Sequence, residues 1–483
     1  MQLRSGLTAM CLLMSVSSTA LAAAATPDGA QRITTALQAY LGKEPGVVTV
    51  TPAAEAYTAT IDFAPLLAKI PAKGATVSID PIVLKLEDQG GGKWQVSQDQ
   101  AISFTAKSPG TLDFLLKADK IAGTGIFDES ITAFLSSSTD ITGFALDETI
   151  TTPGPTATHV AYTVPTTHYE SEAKPAGDGA VDVTSRVTMS GLAETINIPA
   201  SPGMAMPLDI NVNIASASQE STVKGLRGKA ITDLIAWLVA HPSPEAIKAE
   251  QAALKTLLRA GLPVFENVSA SATLQNIGVT TPAGPAFVAK ASVDVSLNGA
   301  VADGMFREKI ALSGLMLPPG LAPPWAESLV PTGTTLDFAV SGFDLAKPAA
   351  ILLDNLDLNH EPPLKPEIEQ QLQQAVMPKG IVTITLGPSS IIGKVAELDA
   401  EGGMTAGPMA MPAGQATVKV KGLDQVMEVI KQAPAEMGLG KAAPMFIVAK
   451  GMAKPTADGG LEWKIESTPT GGVLVNGTDL SKM

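Results

Sequence analysis

Strict two-residue alternation of apolar and polar side chains recurs along this chain and restricts it to sheets with one oily and one wet side. Tyr57, Ala59, Ile61 and Phe63 alternate with Thr58, Thr60 and Asp62, while Leu208, Ile210, Val212 and Ile214 alternate with Asp209, Asn211 and Asn213. Successive side chains of a strand point to opposite faces, so each run is greasy on one side only. The pattern returns at 102–107, 293–298, 336–341, 382–386, 418–421 and 461–466. Parallel strands buried on both faces would read as continuous apolar runs, so half-solvated antiparallel sheets are predicted. Gly90-Gly91-Gly92, Pro153-Gly154-Pro155 and Asp458-Gly459-Gly460 supply the turns.

Helices are the minority. Ile231, Leu234, Ile235 and Leu238 form one stripe; Ser243 then offers an N-cap with Pro244 at the first helical position, followed by Ile247, Leu254, Leu257 and Leu258 up to Gly261 and Pro263. This predicts a helical hairpin over 226–262. A third helix is expected near Pro366, with Leu364, Ile368, Leu372 and Val376 on one face, and a fourth from Asp424, carrying Val426, Met427 and Ile430 and stopping before Pro434. The fold class is therefore α+β, predominantly antiparallel β. Two twisted or curled sheet-based lobes are expected around the central helical hairpin, with short C-terminal helices. The expected boundaries are a leader at 1–24, an N-terminal β-rich domain at 25–222, the hairpin at 223–263 and a C-terminal β-rich domain at 264–483.

A junction repeats within this layout. Val340-Ser341-Gly342-Phe343-Asp344 and Val420-Lys421-Gly422-Leu423-Asp424 lie 80 residues apart, and Val223-Lys224-Gly225-Leu226-Arg227 is a looser copy. Glycine allows a tight exit from the strand, and the Asp oxygen can accept from the first free helical N–H groups. Convergence on one strand-to-helix grammar and true duplication both account for it.

The first two dozen residues read as an address. Arg4 is followed by the nearly uncharged apolar run Gly6 to Leu21 and by the small-x-small site Ala20-Leu21-Ala22, the pattern of a secretory signal peptide, so a periplasmic location is expected. The run is short for a membrane span of about 20 apolar residues. No transmembrane segment is expected in the processed chain. Cys11, the one cysteine, lies inside this leader. The processed chain is then without disulfides, cysteine nucleophiles or thiolate metal sites. A formal charge of −14 with no dense basic run argues against nucleic acid as a partner.

No residue set carries a recognisable catalytic or metal chemistry. His360-Glu361 runs into Pro362-Pro363, so no zinc helix can form there. His159 and His168 flank a strand-like segment broken at Pro165 and are expected in exposed loops, within reach of carboxylates such as Glu170 or Glu172. His241 ends a helix, where a cation complements the dipole. Asp354, Asn355, Asp357, Asn359, His360 and Glu361 form the richest polar cluster, yet it lacks the glycine turn and the bidentate Glu of a calcium loop. Gly225-Leu226-Arg227-Gly228-Lys229 lacks the spacing and hydroxyl of a phosphate loop, and no Gly-x-Ser-x-Gly occurs. Aromatic residues are only 4%, too few for sugar-stacking platforms; Trp94, Trp237, Trp325 and Trp463 are scattered, with Trp94 and Trp463 on the apolar phase of their strands, as core anchors would be. No catalytic residue, metal ligand or cofactor is assigned.

The stretch from Leu398 through Asp399, Ala400, Glu401, Gly402, Gly403, Met404 and Thr405, then Gly407, Gly414 and the junction Val418 to Asp424, resembles the C-terminal strand pattern of AsmA-like envelope proteins. It is also similar to the proteobacterial domain of unknown function 2125. The resemblance covers residues 380–443. It implies an antiparallel sheet curled around an apolar groove, used in lipid traffic or envelope homeostasis. The cleavable leader, where AsmA-like proteins keep an N-terminal anchor, departs from that layout and sets a membrane-bridging role in doubt.

The resulting expectation is an exported, non-catalytic protein that binds lipid or another apolar small molecule. A groove would be lined by Ile384, Leu386, Val418 and Val420 from strands and Val426, Met427 and Ile430 from a helix. Two alternatives stand beside it: a structural or interaction module with an envelope protein partner, in which those faces close on each other as core, and a hydrolase with paired carboxylates drawn together in space.

Overall fold

In the computed structural model, residues 24–69, 74–151, 157–200, 206–408, 410–439, 443–467 and 471–480 are described. The leader through residue 23, with Cys11, and the expected turn at 153–155 lie outside these residues. Antiparallel sheet dominates, with 55% strand against 21% helix. The chain divides into two compact units, one formed by residues up to Val268 together with Leu352–Lys365, the other by Ser269–Ile351 together with Pro366 onward.

The first unit starts with α1 (Pro27–Leu41), β1 (Val48–Ala53), β2 (Ala56–Ile61), α2 (Ala64–Leu67), β3 (Thr76–Ile79) and β4 (Ile82–Gly90). Six long strands follow: β5 (Lys93–Ser108), β6 (Leu112–Asp128), β7 (Ala133–Thr151), β8 (Ala157–Gly177), β9 (Ala180–Ile198) and β10 (Leu208–Leu226). Each pairs antiparallel with its sequence neighbour; β4 and β3 both flank β5, and β2 joins β4 to β1. Thr26 caps α1 by accepting from the Gly29 N–H at 3.0 Å, with Pro27 at the first helical position. Ala30, Ile33 and Leu37 on one face of α1 pack on Val47, Val48, Tyr57, Ala59, Leu84, Leu86, Val96 and Phe127 to form the core. Each fully buried large side chain there contributes roughly 1.5–3 kcal/mol. Gly29 is required at the contact: a Cβ would stand 2.1 Å from the Tyr57 hydroxyl.

A crease crosses the long strands. Pairing skips the opposed positions Asp119, Gly143, Pro165 and Gly191, where Gly143 (φ 64°) and Gly191 (φ 67°) are left-handed and Pro165 has no N–H to give. The strand β8 is therefore continuous through Pro165 and not broken there, and both His159 and His168 sit on it as strand residues, not in loops. Beyond the crease, toward the turn at Gly110, one face carries the cross-strand row Phe104, Leu116, Leu146, Tyr162, Glu194 and Val212, and the next row Ala106, Phe114, Glu148, Val160, Ile196 and Ile210. The opposite face carries Lys107, Asp113, Thr149, His159, Asn197 and Asp209. Directly paired residues share a face, so the alternation seen in sequence becomes an apolar and a polar surface.

Helices α3 (Gly228–Ala240), α4 (Pro244–Ala249) and α5 (Gln251–Ala260) complete the unit. Ser243 caps α4 through the Ala246 N–H at 3.2 Å, as expected, but the single helix expected to reach Gly261 is interrupted at Glu250 (φ −114°, ψ 28°). Gln251 beside the break is held by its side chain, accepting from the Leu358 N–H at 2.9 Å and donating to Asp357 at 3.3 Å.

The second unit contains β11 (Asn267–Thr281), β12 (Gly284–Asn298), β13 (Gly304–Ser313), β14 (Pro331–Phe343), α6 (Ala346–Asn355, which leaves the unit at Ile351), α7 (Ile368–Val376), β15 (Val382–Gly393), β16 (Glu397–Gly407) and β17 (Ala410–Lys421). It ends with α8 (Leu423–Ile430), α9 (Ala443–Met452), β18 (Lys454–Pro455), β19 (Leu461–Ser467), β20 (Val473–Val475) and β21 (Thr478–Asp479). From β12 to β17 each strand pairs antiparallel with the next, β19 follows β17, and β20 and β21 follow β19. The repeated glycines Gly225, Gly342 and Gly422 are all left-handed, with φ of 63°, 86° and 78°. Asp344 caps α6 through the Lys347 N–H at 2.9 Å. Asp424 does not cap α8; Gly422 occupies the cap position, and the Asp424 carboxylate, one residue inside the helix, accepts from Lys450 at 2.6 Å instead.

Candidate functional site

Four of the seven groove residues expected from sequence share one surface. Ile384 pairs with Val340 and Met404, Leu386 with Phe338 and Gly402, Val418 with Ala400 and Trp463, and Val420 with Leu398 and Leu461. These partners continue into Phe306, Ile310 and Leu312 on β13 and Val293, Val295 and Leu297 on β12. Pairing thus assembles an apolar face across the seven strands from β12 to β19, about 29 Å at the usual strand spacing. Val426, Met427 and Ile430 are half-buried together on α8, which packs against the 3-10 turn Glu327–Leu329.

That face is open. Leu336 is 51% exposed, Ile391 47%, Ile310 39%, Met404 37% and Leu398 36%, while Ile384, Leu386, Val418 and Val420 are half-buried. Among the described residues of this unit, apart from two prolines, the buried apolar side chains are Ile368, Ala375, Trp463 and Val475. Contiguous exposed apolar side chains of this kind are uncommon on monomeric soluble proteins.

The reverse face is polar and carries charges of both signs. Asp294, Lys309 and Asp337 form one cross-strand row and Asp399, Lys419 and Glu462 another, each alternating in sign. Arg307 grips Asp337 with two bonds, Nε at 2.9 Å and Nη2 at 2.6 Å, and the Asp337 N–H donates to Ser389 Oγ at 3.0 Å. The guanidinium lowers the pKa of the buried Asp337 carboxyl. Lys421, 2.8 Å from Asp458, likewise holds that carboxyl well below its ordinary range. Trp463 is an anchor as its phase predicts, its indole N–H donating to the Ala449 carbonyl at 2.8 Å, and Trp94 is packed against the first unit's core with its N–H on Glu129 at 2.7 Å.

The titratable clusters are held by partners within the protein. His168 Nδ1 meets Asp140 at 2.7 Å and Nε2 meets Glu170 at 3.0 Å, so both ring nitrogens face carboxylates and the pKa is raised, by Glu170 first and Asp140 second. With both nitrogens engaged, no lone pair is aimed at a hydroxyl for nucleophile activation. A cavity of about 360 Å³ adjoins it beside the crease, lined by Asp140, His168, Thr142, Thr166, Thr188 and Ser190 among others. His159 bonds Asp147 at 3.0 Å, the larger cause of its raised pKa, and Asn197 at 3.4 Å. His241 stacks on Trp237 with ring centres 4.1 Å apart and bonds the Trp237 carbonyl at 2.7 Å, which accounts for its place at the end of α3. In the acidic loop, Asp354 takes Arg259 at 2.6 Å, and Asp357 takes His360 at 2.7 Å and the Asn359 N–H at 3.0 Å. The Asp354 and Asp357 carboxylates are thus engaged within the protein, and no group of three metal-ligating side chains exists among the described residues.

No protein-family model, curated protein or solved structure matches this chain. The functional reading therefore rests on the two sheet faces. Sequence reasoning did not single out three residues that matter to it: Glu148 and Glu194 in the first unit and Glu308 in the second, each a carboxylate in the apolar phase of its strand. The signal was present as a charge among apolar alternates, in Phe306-x-Glu308-x-Ile310 for instance.

Proposed function

We propose that this protein is exported through its N-terminal leader to the periplasm and there holds lipid, without catalysis, along the apolar face of its second unit. In this reading each unit is a sheet-based lobe, and the 223–263 helical segment belongs to the first. The observation that carries it is the exposure of Leu336, Ile391 and Ile310 inside an otherwise continuous apolar surface. Burying such side chains gains about 25 cal/mol per Å², so a ligand with a long hydrocarbon tail finds its largest return there. At about 29 Å across seven strands, the face is longer than one acyl chain of a bilayer whose two leaflets together span about 30 Å.

Extraction of the native protein without detergent, followed by mass spectrometry of co-purifying lipid, tests this reading. Lipid at near one molecule or more per chain supports it; lipid-free protein that also takes up none when offered vesicles rejects it.

A second reading, an envelope interaction module, draws on α9. Its Met445, Ile447 and Val448 are exposed while Phe446 and Ala449 are half-buried, so this helix offers a separate apolar ridge suited to a protein partner.

A further inference from the structure

The apolar faces are almost free of charge, and the few charges they carry have one sign. Glu148 stands between Phe114 and Val160, Glu194 between Tyr162 and Val212, and Glu308 between Val295 and Phe338. All three are half-buried. Among the described residues none of them makes an ion pair, and no basic strand residue shares their faces: Arg307 and Lys309, flanking Glu308 in sequence, point to the reverse face, where Arg307 is occupied by Asp337. Lys107 and Lys117 are likewise on the polar side of the first unit. Placing a carboxylate among apolar neighbours costs free energy unless a donor or cation meets it, and that cost recurs independently in both units.

Resting on the lipid-holding reading above, we infer that the ligand is an amphiphile whose head ends in a primary ammonium group, its tail on the apolar rows of the second unit and its ammonium on Glu308, with Glu148 and Glu194 offering the same kind of pairing on the first unit's own face. A charge-assisted N–H bond to an unpaired carboxylate repays the desolvation of both groups. An anionic head would meet the same carboxylates with repulsion. The sign of the charges thus selects among lipids that the hydrocarbon surface alone would accept equally.

The test uses the purified full chain and two probes with identical tails, palmitoyl lysophosphatidylethanolamine and palmitoyl lysophosphatidylglycerol, titrated below their micelle concentrations with calorimetry as readout. The ethanolamine probe is expected to bind about tenfold tighter. Glu308→Gln should reduce that preference several-fold, and the variant carrying Glu148→Gln, Glu194→Gln and Glu308→Gln should erase it while leaving the glycerol probe's affinity equal or better. Circular dichroism and melting temperature establish that these isosteric variants fold. Equal binding of both probes to the unaltered protein, or a preference the triple variant keeps, overturns the inference while leaving the lipid-holding reading in place. Binding of neither probe overturns both.

Discussion

Ile310 and Leu336 stand directly opposite each other on β13 and β14, and both are left open to solvent, at 39% and 51% exposure. A pair of branched aliphatics in the middle of a sheet face normally lies beneath a second layer. Left open, it is expected to contribute little to stability. The double variant Ile310→Ser, Leu336→Ser is expected to unfold in urea within about 1 kcal/mol of the unaltered protein, because exposed positions lose little on truncation. Its lipid content should fall sharply. The contrast is Phe127→Ala, in the closed core of the first unit, where about 3–5 kcal/mol is expected to be lost.

The crease is expected to depend on Gly143. A side chain there would occupy left-handed backbone, and its Cβ would fall 2.1 Å from the Asp119 carboxylate. Gly143→Ala should cost more than the roughly 1–3 kcal/mol of backbone strain alone. Adding Asp119→Ala should return most of the clash component, leaving its own Cβ at 2.9 Å and the backbone strain, a coupling readable in a double-mutant cycle of urea midpoints.

His168 gives the first unit a pH dependence. Its pKa is raised above 6.5 by Glu170 and Asp140, so the imidazolium bonds are complete below the unfolded value and are lost as pH rises through the folded one. Stability should therefore decline on going from weakly acid to neutral and alkaline buffer. His168→Gln should flatten that part of the profile, and a proton NMR titration should find the His168 ring above 6.5.

Asp337 acts with the opposite sign. Arg307 lowers its pKa, so the stabilisation is present above the ordinary value of 3.8 and is lost as pH falls through the folded one. Asp337→Asn should show less acid destabilisation than the unaltered protein in a denaturant series below about pH 4. Gly387→Ala should perturb the same site, because a Cβ there would lie 2.6 Å from the Asp337 carboxyl carbon.

Alternation made the antiparallel strands legible, and residue chemistry located the Ser243 cap and the three left-handed glycines at Gly225, Gly342 and Gly422. The reach of the long strands was less visible. Segments such as Ser185 to Gly191 are rich in small polar residues, and at Gly143, Pro165 and Gly191 the apolar phase changes parity, which interrupts the pattern that reveals a strand. Openness was not legible at all. Leu86 and Leu336 occupy equivalent apolar phases in sequence, yet one is 1% exposed and the other 51%, because α1 and its neighbours cover the first and what lies over a strand is set by distant parts of the chain. The four strand residues Ile384, Leu386, Val418 and Val420 were identified by phase; that their face stays open came only from the folded chain.

Photocrosslinking in the producing cells tests the central claim most directly, with a benzophenone side chain replacing Leu336 on the apolar face or Thr335 beside it on the reverse face. A lipid adduct at position 336 and none at position 335 is the expected result. Adducts of equal yield at both positions, or only protein adducts at 336, would contradict it.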